Sequence, residues 1–174
     1  VIDGTGRLRF SADVGISGGR ISAIGSLPDA DAALVIKASG LIVSPGFIDM
    51  HSHSDVTLLD DPGGDSKAHQ GVSTEVTGNC GVSSFPITSV ARSDEGDPDM
   101  TSVHPWVWTD LDGWANTLEE KGISINLAPQ LGHSAIRNLV GLSADRRRTA
   151  GELTSMQRHD TESLEHGAFG MSTG

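Results

Sequence analysis

The chain has 174 residues, of which 36% are hydrophobic and 20% charged, proportions that are ordinary for a globular protein. Its 23 acidic and 12 basic residues give a net charge of −11, which argues against nucleic acid or an anionic membrane surface as a partner. No stretch approaches the roughly 20 apolar residues that span a bilayer. The single cysteine, Cys80, excludes an internal disulfide and fits a reducing, cytoplasmic compartment.

The first 45 residues predict a separate small β domain. Residues 13–17 and 20–25 are strand-like runs on either side of the pair Gly18–Gly19, the composition of a tight hairpin turn. Two later apolar runs, at residues 34–38 and 40–46, predict further strands. We therefore expect small antiparallel β structure throughout this segment.

From residue 46 onward, short apolar strands alternate with longer segments that are compatible with helices. Because strands that alternate with helices form parallel βαβ units, this order predicts a parallel sheet. Four such strands form the first half of a (β/α)8 barrel, whose complete form takes about 250 residues. The predicted strands are residues 46–54, 71–81, 122–133 and 167–174. Residues 46–174 are therefore expected to be an incomplete barrel that contains strands 1 to 4.

Two predicted helices and one long loop connect these strands. One helix covers residues 110–121, and a second begins at the capping box Thr149–Glu152 and ends before Gly167. Their apolar positions are Leu111, Trp114 and Leu118 in the first helix and Leu153, Met156 and Leu164 in the second. Residues 86–108 are rich in Asp, Ser and Pro and lack periodicity, which predicts a lid over a functional site or a poorly ordered loop.

The two ends of the chain predict a piece of a longer protein. The chain opens on Val1 without an initiator methionine, and it stops at Gly174 directly after an apolar, strand-like run. A half-barrel cannot close by itself, so we expect further strands in the complete protein.

Two histidines lie at the end of the first predicted strand of the barrel. His51 and His53 are two residues apart, and side chains at i and i+2 of a strand project from the same face. Cys80 lies at the end of the second predicted strand, at the same carboxyl edge, where barrel enzymes carry their active sites. Because thiolate and imidazole together suit an ion such as zinc, these three residues predict a metal site. The alternatives are two ordinary surface histidines and a small buried cysteine.

Three further polar residues lie in or after predicted strands. His133 follows the third strand and is interpreted either as facing the substrate or as a loop histidine bonded to the backbone. Asp55 either orients a ligand histidine through a hydrogen bond or is a solvated loop carboxylate. Glu75, within the second strand, is interpreted as structural or as paired with a base.

Four segments, taken in order, resemble one known family. They are GLIVSPGFIDMHSHSD, QGVSTEVTGNCG, GHSAIR and GAFGMSTG, and the likeness extends over nearly the whole chain, including DVGISGGRISAIG in the predicted hairpin. In these segments the chain resembles the N-terminal part of the N-acyl-D-amino-acid deacylases, or D-aminoacylases, of the amidohydrolase superfamily. The resemblance implies an α/β fold, a metal-dependent (β/α)8 barrel preceded by part of a small β-sandwich domain.

The resemblance also implies the chemistry of the site. His51, His53 and Cys80 map onto a metal centre that holds one or two zinc ions in the complete protein. Cys80 stands in for the carboxylated lysine that bridges two metals in many relatives, since the predicted fourth strand of this chain contains no lysine. The implied reaction is metal-assisted hydrolysis of the amide bond of a small-molecule N-acyl-D-amino acid, which yields a carboxylate and a D-amino acid.

The rest of the implied machinery is expected beyond Gly174. It comprises the catalytic aspartate, two further histidine ligands and the groups that bind the substrate carboxylate, so the fragment alone is expected to be inactive. Two alternatives remain: an enzyme of the same superfamily that acts on cyclic amides, as hydantoinases and dihydroorotases do, and a non-catalytic truncated half-barrel. The preferred D-amino acid, the acyl group and the oligomeric state are left open by the sequence.

Overall fold

The computed structural model of the chain describes residues 1–87, 107–141 and 146–174. The chain divides into two compact units, Val1–Gly46 and Phe47–Gly174. Apart from its ends, the predicted lid at residues 86–108 lies outside the described residues and stays a prediction. None of the helices in the described ranges combines the length and the apolar character needed to cross a membrane.

The first unit contains one antiparallel hairpin, formed by β1 (Asp13–Ser17) and β2 (Arg20–Gly25). Gly18 and Gly19 have φ angles of 57° and 71°. A two-residue turn of this type requires positive φ at both positions, which glycine adopts without a steric penalty. The predicted hairpin and its Gly-Gly turn are therefore confirmed.

The two later strands predicted for the first unit are wrong. Residues 34–38 and 40–46 form no strand, and Leu34, Val35 and Ile36 are 76%, 71% and 78% exposed. A β-favouring composition produces a strand only where a neighbouring strand offers its N–H and C=O groups. No strand in the described part of the chain pairs with either run.

The second unit is built on a parallel sheet that has four strands in the described residues. Its strands lie side by side in chain order, as consecutive strands of a (β/α)8 barrel do. They are β3 (Phe47–Asp49), β4 (Val72–Thr77), β5 (Asn126–Gly132) and β6 (Gly170–Ser172). The connecting helices are α1 (Ser54–Thr57), α2 (Asp65–Ala68), α3 (Leu111–Lys121), α4 (His133–Leu139) and α5 (Ala150–Glu165). The predicted α/β fold with the first strands of a barrel is confirmed.

The first strand of this sheet is shorter than predicted. It ends at Asp49, whose carboxylate Oδ1 accepts a hydrogen bond of 3.0 Å from the backbone N–H of His51. This turn, made by a side chain that bonds the backbone two residues later, ends the extended conformation. His51 and His53 therefore lie beyond the strand, and strand alternation is not what aligns their side chains.

Helix α3 follows the predicted pattern. The Asp110 side chain accepts a hydrogen bond of 2.9 Å from Gly113 N–H and caps the start of the helix, and Gly122 ends it in the left-handed conformation, with φ of 75°. The three apolar positions predicted for it, Leu111, Trp114 and Leu118, are buried in the core.

Helix α5 begins at the predicted capping box, which Thr149 and Glu152 form through reciprocal hydrogen bonds. Its apolar side differs from the prediction. Met156 packs against the core, but Leu153 and Leu164 are 48% and 44% exposed. The apolar face of α5 is therefore only partly covered by the described residues.

Two tryptophans anchor α3 and the segment before it to the carboxyl side of the sheet. The Trp114 ring packs 5.3 Å from that of Phe85, and its indole N–H donates to the backbone oxygen of Asp55 at 3.0 Å. The indole N–H of Trp108 donates to the backbone oxygen of Ser84 at 2.7 Å. Asp55 follows β3 and Ser84 follows β4. The two tryptophans therefore hold, by hydrogen bonds to the backbone, both segments that carry the predicted site.

Candidate metal centre

The structure brings His51, His53 and Cys80 together. One ligand atom from each, an imidazole nitrogen or the thiol sulfur, lies within 4.8 Å of the others. Cys80 Sγ and His51 Nε2 are 3.2 Å apart, and the two imidazole rings have their centroids 5.7 Å apart. All three side chains are exposed, so Cys80 is not the small buried residue that the alternative interpretation assumed.

The donor set and its spacing fit a zinc ion. Zinc is bound by thiolate and imidazole, with Zn–S and Zn–N bonds of about 2.3 and 2.0 Å, so a tetrahedral ion has its sulfur and nitrogen ligands about 3.5 Å apart. The sulfur to nitrogen distance of 3.2 Å between Cys80 and His51 is close to this value. Small side-chain adjustments would suffice to bring His53 to the same ion.

The backbone around Cys80 is unusual. Cys80 has a φ of 56°, in the left-handed region, which is disfavoured for residues other than glycine. Close backbone approaches surround it: a Cβ built on Gly78 would lie 1.9 Å from Gln130 O, and one built on Gly174 would lie 2.2 Å from Cys80 O. These glycines allow the Cys80 segment to lie directly against the ends of the neighbouring strands. A strained, positive φ at a polar position is a common sign of a functional site.

A serine on β6 holds the Cys80 segment in place. The backbone N–H of Gly81 donates to Ser172 Oγ at 3.0 Å, and the same hydroxyl donates to the backbone oxygen of Gly78. From the other side, the backbone N–H of Ser134, on α4, donates to the backbone oxygen of Gly81 at 2.8 Å. Helix α4 and strand β6, which follow β4 along the chain, therefore fix the segment after β4 that carries Cys80.

The backbone of the histidine segment is fixed by Asp49 and Lys67. One carboxylate oxygen of Asp49 accepts from His51 N–H, and the other accepts from the ammonium of Lys67 on α2. The Lys67 hydrogen bond is the main cause that lowers the pKa of Asp49 below its ordinary value, and the same bond raises the pKa of Lys67. No pattern in the sequence indicates this pairing, because the two residues are far apart along the chain.

Ser52, between the two histidines, is buried, and both its hydroxyl and its backbone oxygen form hydrogen bonds. Its hydroxyl donates to Glu75 Oε2 at 2.7 Å, and its backbone oxygen accepts from the side-chain amide of Asn79 at 3.2 Å. Glu75 is 0% exposed, and its other oxygen lies 3.9 Å from Lys67 Nζ. The structure thus agrees with the interpretation of Glu75 as a structural carboxylate paired with a base.

Asp55 has a different role from both interpretations of the sequence. It is 2% exposed, so it is not a solvated loop carboxylate, and burial raises its pKa above the ordinary value. Its Oδ2 accepts hydrogen bonds from the backbone N–H and the hydroxyl of Ser84, whereas Oδ1 has no partner among the described residues. Asp55 therefore bonds no described histidine directly. It joins the segment that follows β3 to the segment that follows β4.

His133 lies at the start of α4, directly after β5, and not in a loop. Its imidazole makes no hydrogen bond to the backbone of the described residues, so none of the described contacts supports the interpretation as a backbone-bonded loop histidine. His133 instead borders a cavity of about 330 Å³ together with a group of cationic and apolar side chains. These are Arg137, Arg146, Arg147, Arg148, Leu153 and Met156.

Comparison with known proteins places the chain among related sequences. The model of the amidohydrolase family matches residues 34–174. N-acyl-D-glutamate deacylase of Alcaligenes xylosoxydans xylosoxydans is 38% identical over 179 aligned residues, which cover the whole chain and 35% of that relative. Dihydroorotase of Bacillus subtilis is 46% identical over 59 residues, which are 34% of the chain.

Solved structures agree with the sequence comparison. N-acyl-D-glutamate deacylase from Bordetella bronchiseptica, complexed with zinc and a phosphonate inhibitor that mimics the tetrahedral intermediate, matches 99% of the chain with a TM-score of 0.86 and 38% identity. D-aminoacylase, which has a binuclear metal centre, matches 94% of the chain with a TM-score of 0.79 and 37% identity.

The match covers this chain almost completely but only part of each relative. The chain spans 36% of the Bordetella bronchiseptica enzyme and 34% of the D-aminoacylase. The resemblance to the D-aminoacylases that the four sequence segments carry is confirmed over the length of this chain. With the family model matched over residues 34–174, the chain belongs to the amidohydrolase family.

Proposed function

We propose that His51, His53 and Cys80 are zinc ligands of a metal-dependent amide hydrolase. The observation that carries the proposal is the convergence of three side chains from two strand ends to within 4.8 Å of one another. A catalytic zinc site takes three protein ligands and keeps one position open. One or two ions would be bound in the complete protein, in keeping with the zinc complex and the binuclear centre of the two structural relatives.

When bound, such an ion supplies Lewis-acid chemistry, which acidifies water and polarises the carbonyl group of an amide. The residues of this chain hold and orient the ligands. Asp49 fixes the backbone of His51, Asn79 fixes that of Ser52, and the turn at positive φ directs the Cys80 thiol toward the same point. A site that is preorganised in this way does not reorganise during the reaction.

We infer that the substrate of the complete protein is an N-acyl-D-amino acid, hydrolysed to a carboxylate and a D-amino acid. Support comes from the relatives, which match this chain over its whole length and which act, by name, on N-acyl-D-glutamate or as D-aminoacylases.

The aspartate and the remaining ligands that such a reaction needs would follow Gly174. Residues 1–45 would belong to a small β domain. The single free cysteine fits a cytoplasmic location.

His133 is proposed as a substrate-binding residue. An N-acyl-amino acid carries a carboxylate, and the cavity beside His133 is lined by four arginines in a chain whose net charge is −11. His133 also neighbours Ser134, which bonds the residue that follows Cys80. His133→Asn is expected to raise KM for N-acyl-D-amino acids more than it lowers kcat. An unchanged KM would remove His133 from the substrate site.

The experiment that tests the function uses the complete protein. Bound zinc is measured after dialysis, and hydrolysis of N-acetyl-D-glutamate, N-acetyl-D-aspartate and N-acetyl-D-leucine is assayed beside the L-enantiomers. We expect zinc and turnover of D-substrates only. Turnover confined to hydantoins or dihydroorotate would favour the cyclic-amide alternative, which the shorter match to dihydroorotase supports less well. Zinc without turnover of either class would favour a non-catalytic role.

A further inference from the structure

We propose that Lys67 is a positioning residue for the metal centre, because its ammonium holds together the two carboxylates, Asp49 and Glu75, that fix the segment from His51 to His53. The inference rests on the zinc site proposed above and adds a residue outside the ligand set. The hydrogen bond and ion pairs of Lys67 go to the two carboxylates and to neither histidine, so Lys67 would act through the carboxylates and not on a substrate.

Asp49 is the first of the two connections. It ends β3, and its side chain accepts from His51 N–H on one oxygen and from Lys67 on the other. The direction in which the chain leaves β3, and hence where the His51 imidazole points, depends on that carboxylate keeping its orientation. A charge-assisted hydrogen bond to Lys67 removes the freedom of the carboxylate to rotate.

Glu75 is the second connection. It pairs with Asp49 across the neighbouring parallel strands, so the two carboxylates lie side by side. One oxygen of Glu75 accepts from the hydroxyl of Ser52, the residue between the two histidines. The other is 3.9 Å from Lys67 Nζ and accepts no hydrogen bond from the described residues. Glu75 is fully buried, whereas the side chain of Lys67 is 33% exposed.

This arrangement requires a cation. Two adjacent carboxylates repel each other, and a buried one is strongly disfavoured unless a charge or hydrogen bonds compensate for it. The ammonium of Lys67 is within 4 Å of oxygens from both. Without it, Asp49 and Glu75 would move apart, and this movement would release His51 N–H or the Ser52 hydroxyl. The metal ligands would then lose their fixed orientation.

The test compares variants of the complete protein in zinc affinity, in the absorption spectrum of the cobalt-substituted enzyme and in thermal stability of the metal-free form. Lys67→Met keeps the length of the side chain and removes the charge, and we expect zinc affinity to fall by about 10- to 100-fold, the range for residues that orient metal ligands. The thiolate and ligand-field bands of cobalt should also shift, which a general loss of stability would not cause.

Three further variants make the test specific. Lys67→Arg retains a cation and is expected to keep zinc affinity and the cobalt spectrum close to those of the unchanged protein. Lys67→Met combined with Glu75→Gln removes the buried negative charge while an amide oxygen still accepts from Ser52, so it is expected to bind zinc more tightly than Lys67→Met alone. Lys37→Met, at an exposed position of the first unit, makes the same charge change and is expected to alter neither the zinc affinity nor the cobalt spectrum.

The outcomes are separable. Unchanged zinc affinity and cobalt spectrum in folded Lys67→Met would overturn the positioning role and leave the metal centre intact. If Lys67→Met does not fold, the double variant decides, because Asp49 has still lost its partner: weaker zinc binding than in the unchanged protein supports the role, and equal binding overturns it. Failure of the unchanged protein to bind zinc would overturn the metal centre itself, and the positioning role with it.

Discussion

The carboxylate of Asp55 accepts two hydrogen bonds from Ser84, one from the backbone N–H at 3.0 Å and one from the hydroxyl at 2.8 Å. The two residues are 29 positions apart, and both are almost fully buried. Asp55 lies two residues after His53, and Ser84 lies four residues after Cys80. This pair therefore sets the distance between the segments that supply the candidate ligands.

Ser84→Ala should measurably destabilise the complete, metal-free protein. The variant removes one donor from a buried carboxylate that already has one oxygen without a partner in the described residues, which costs about 1–3 kcal/mol. Urea unfolding monitored by circular dichroism measures the change. Ser66→Ala, at an exposed position, serves as the control and should stay within about 0.5 kcal/mol. Equal stabilities of the two variants would show that the Asp55 to Ser84 bond contributes nothing.

Cys80→Ala should abolish zinc binding and most turnover while the fold persists, because the thiol is exposed and its loss leaves no cavity. Cys80→Gly should lose zinc equally. In the metal-free state, however, we expect Cys80→Gly to be more stable than Cys80→Ala by about 1 kcal/mol, since glycine adopts the φ of 56° without strain. Zinc content, turnover and melting temperature are the measurements. Normal zinc in either variant would refute the role of Cys80 as a ligand.

Gly78→Ala should be strongly destabilising. The new methyl group would lie 1.9 Å from the backbone oxygen of Gln130, and the φ of 75° adds strain, so we expect a loss of about 3 kcal/mol or failure to fold. Gly151→Ala is the matched control. It meets nothing within 4 Å, lies in α5 and should stabilise the protein by about 0.5–1 kcal/mol. Urea unfolding checks the prediction: the free energy of unfolding should fall in Gly78→Ala and rise in Gly151→Ala.

The pKa of His166 should depend on Asp112. Nδ1 of His166 lies 2.6 Å from a carboxylate oxygen of Asp112, and this hydrogen bond raises the pKa of the imidazole above its ordinary value. The raised pKa stabilises the folded state fully below the unfolded pKa, and that contribution is lost as pH rises through the folded pKa. Asp112→Asn should lower the pKa, as followed by NMR titration. The difference in free energy of unfolding between the two proteins should then narrow as pH rises through the folded pKa of His166. A difference that does not depend on pH would contradict the pairing.

The 174-residue chain produced alone should neither retain zinc after dialysis nor hydrolyse N-acetyl-D-amino acids. It offers the three candidate ligands, but β6 is an edge strand of the described sheet, and Phe169, just before it, and Met171, within it, are 75% and 47% exposed. Ligands on an incompletely packed sheet are not held rigidly. Stoichiometric zinc together with turnover comparable to that of the complete protein would contradict this expectation.

The features that the sequence predicted correctly have local signals. The hairpin depends on two adjacent glycines, and α3 depends on apolar spacing and an aspartate cap, so a few neighbouring residues determine each of them. The convergence of His51 and Cys80 required only that two parallel strands end at the same edge. The known family pattern added the identity of the expected ion.

The contacts that the sequence did not reveal are long-range. Lys67 and Ser84 carry no local sign that they bond Asp49 and Asp55, because each pairing depends on how strands and helices pack. Strand propensity also predicted a strand at residues 34–38, which have no partner strand among the described residues and form none. Burial of a carboxylate such as Glu75 is decided by its neighbours and not by its own chemistry.

The position of the candidate ligands in the chain bears on how the protein is made. All three lie between β3 and the residues that follow β4, which together with their connection form the first βαβ unit of the sheet. Chains are synthesised from the N-terminus, at about 5–20 residues per second, and local units assemble before distant ones. These three candidate ligands are therefore synthesised before β5 and β6 have left the ribosome. Ser134 and Ser172, which bond the segment that carries Cys80, are synthesised later, so the ligands would be held in place for a metal ion only after β6 has been made.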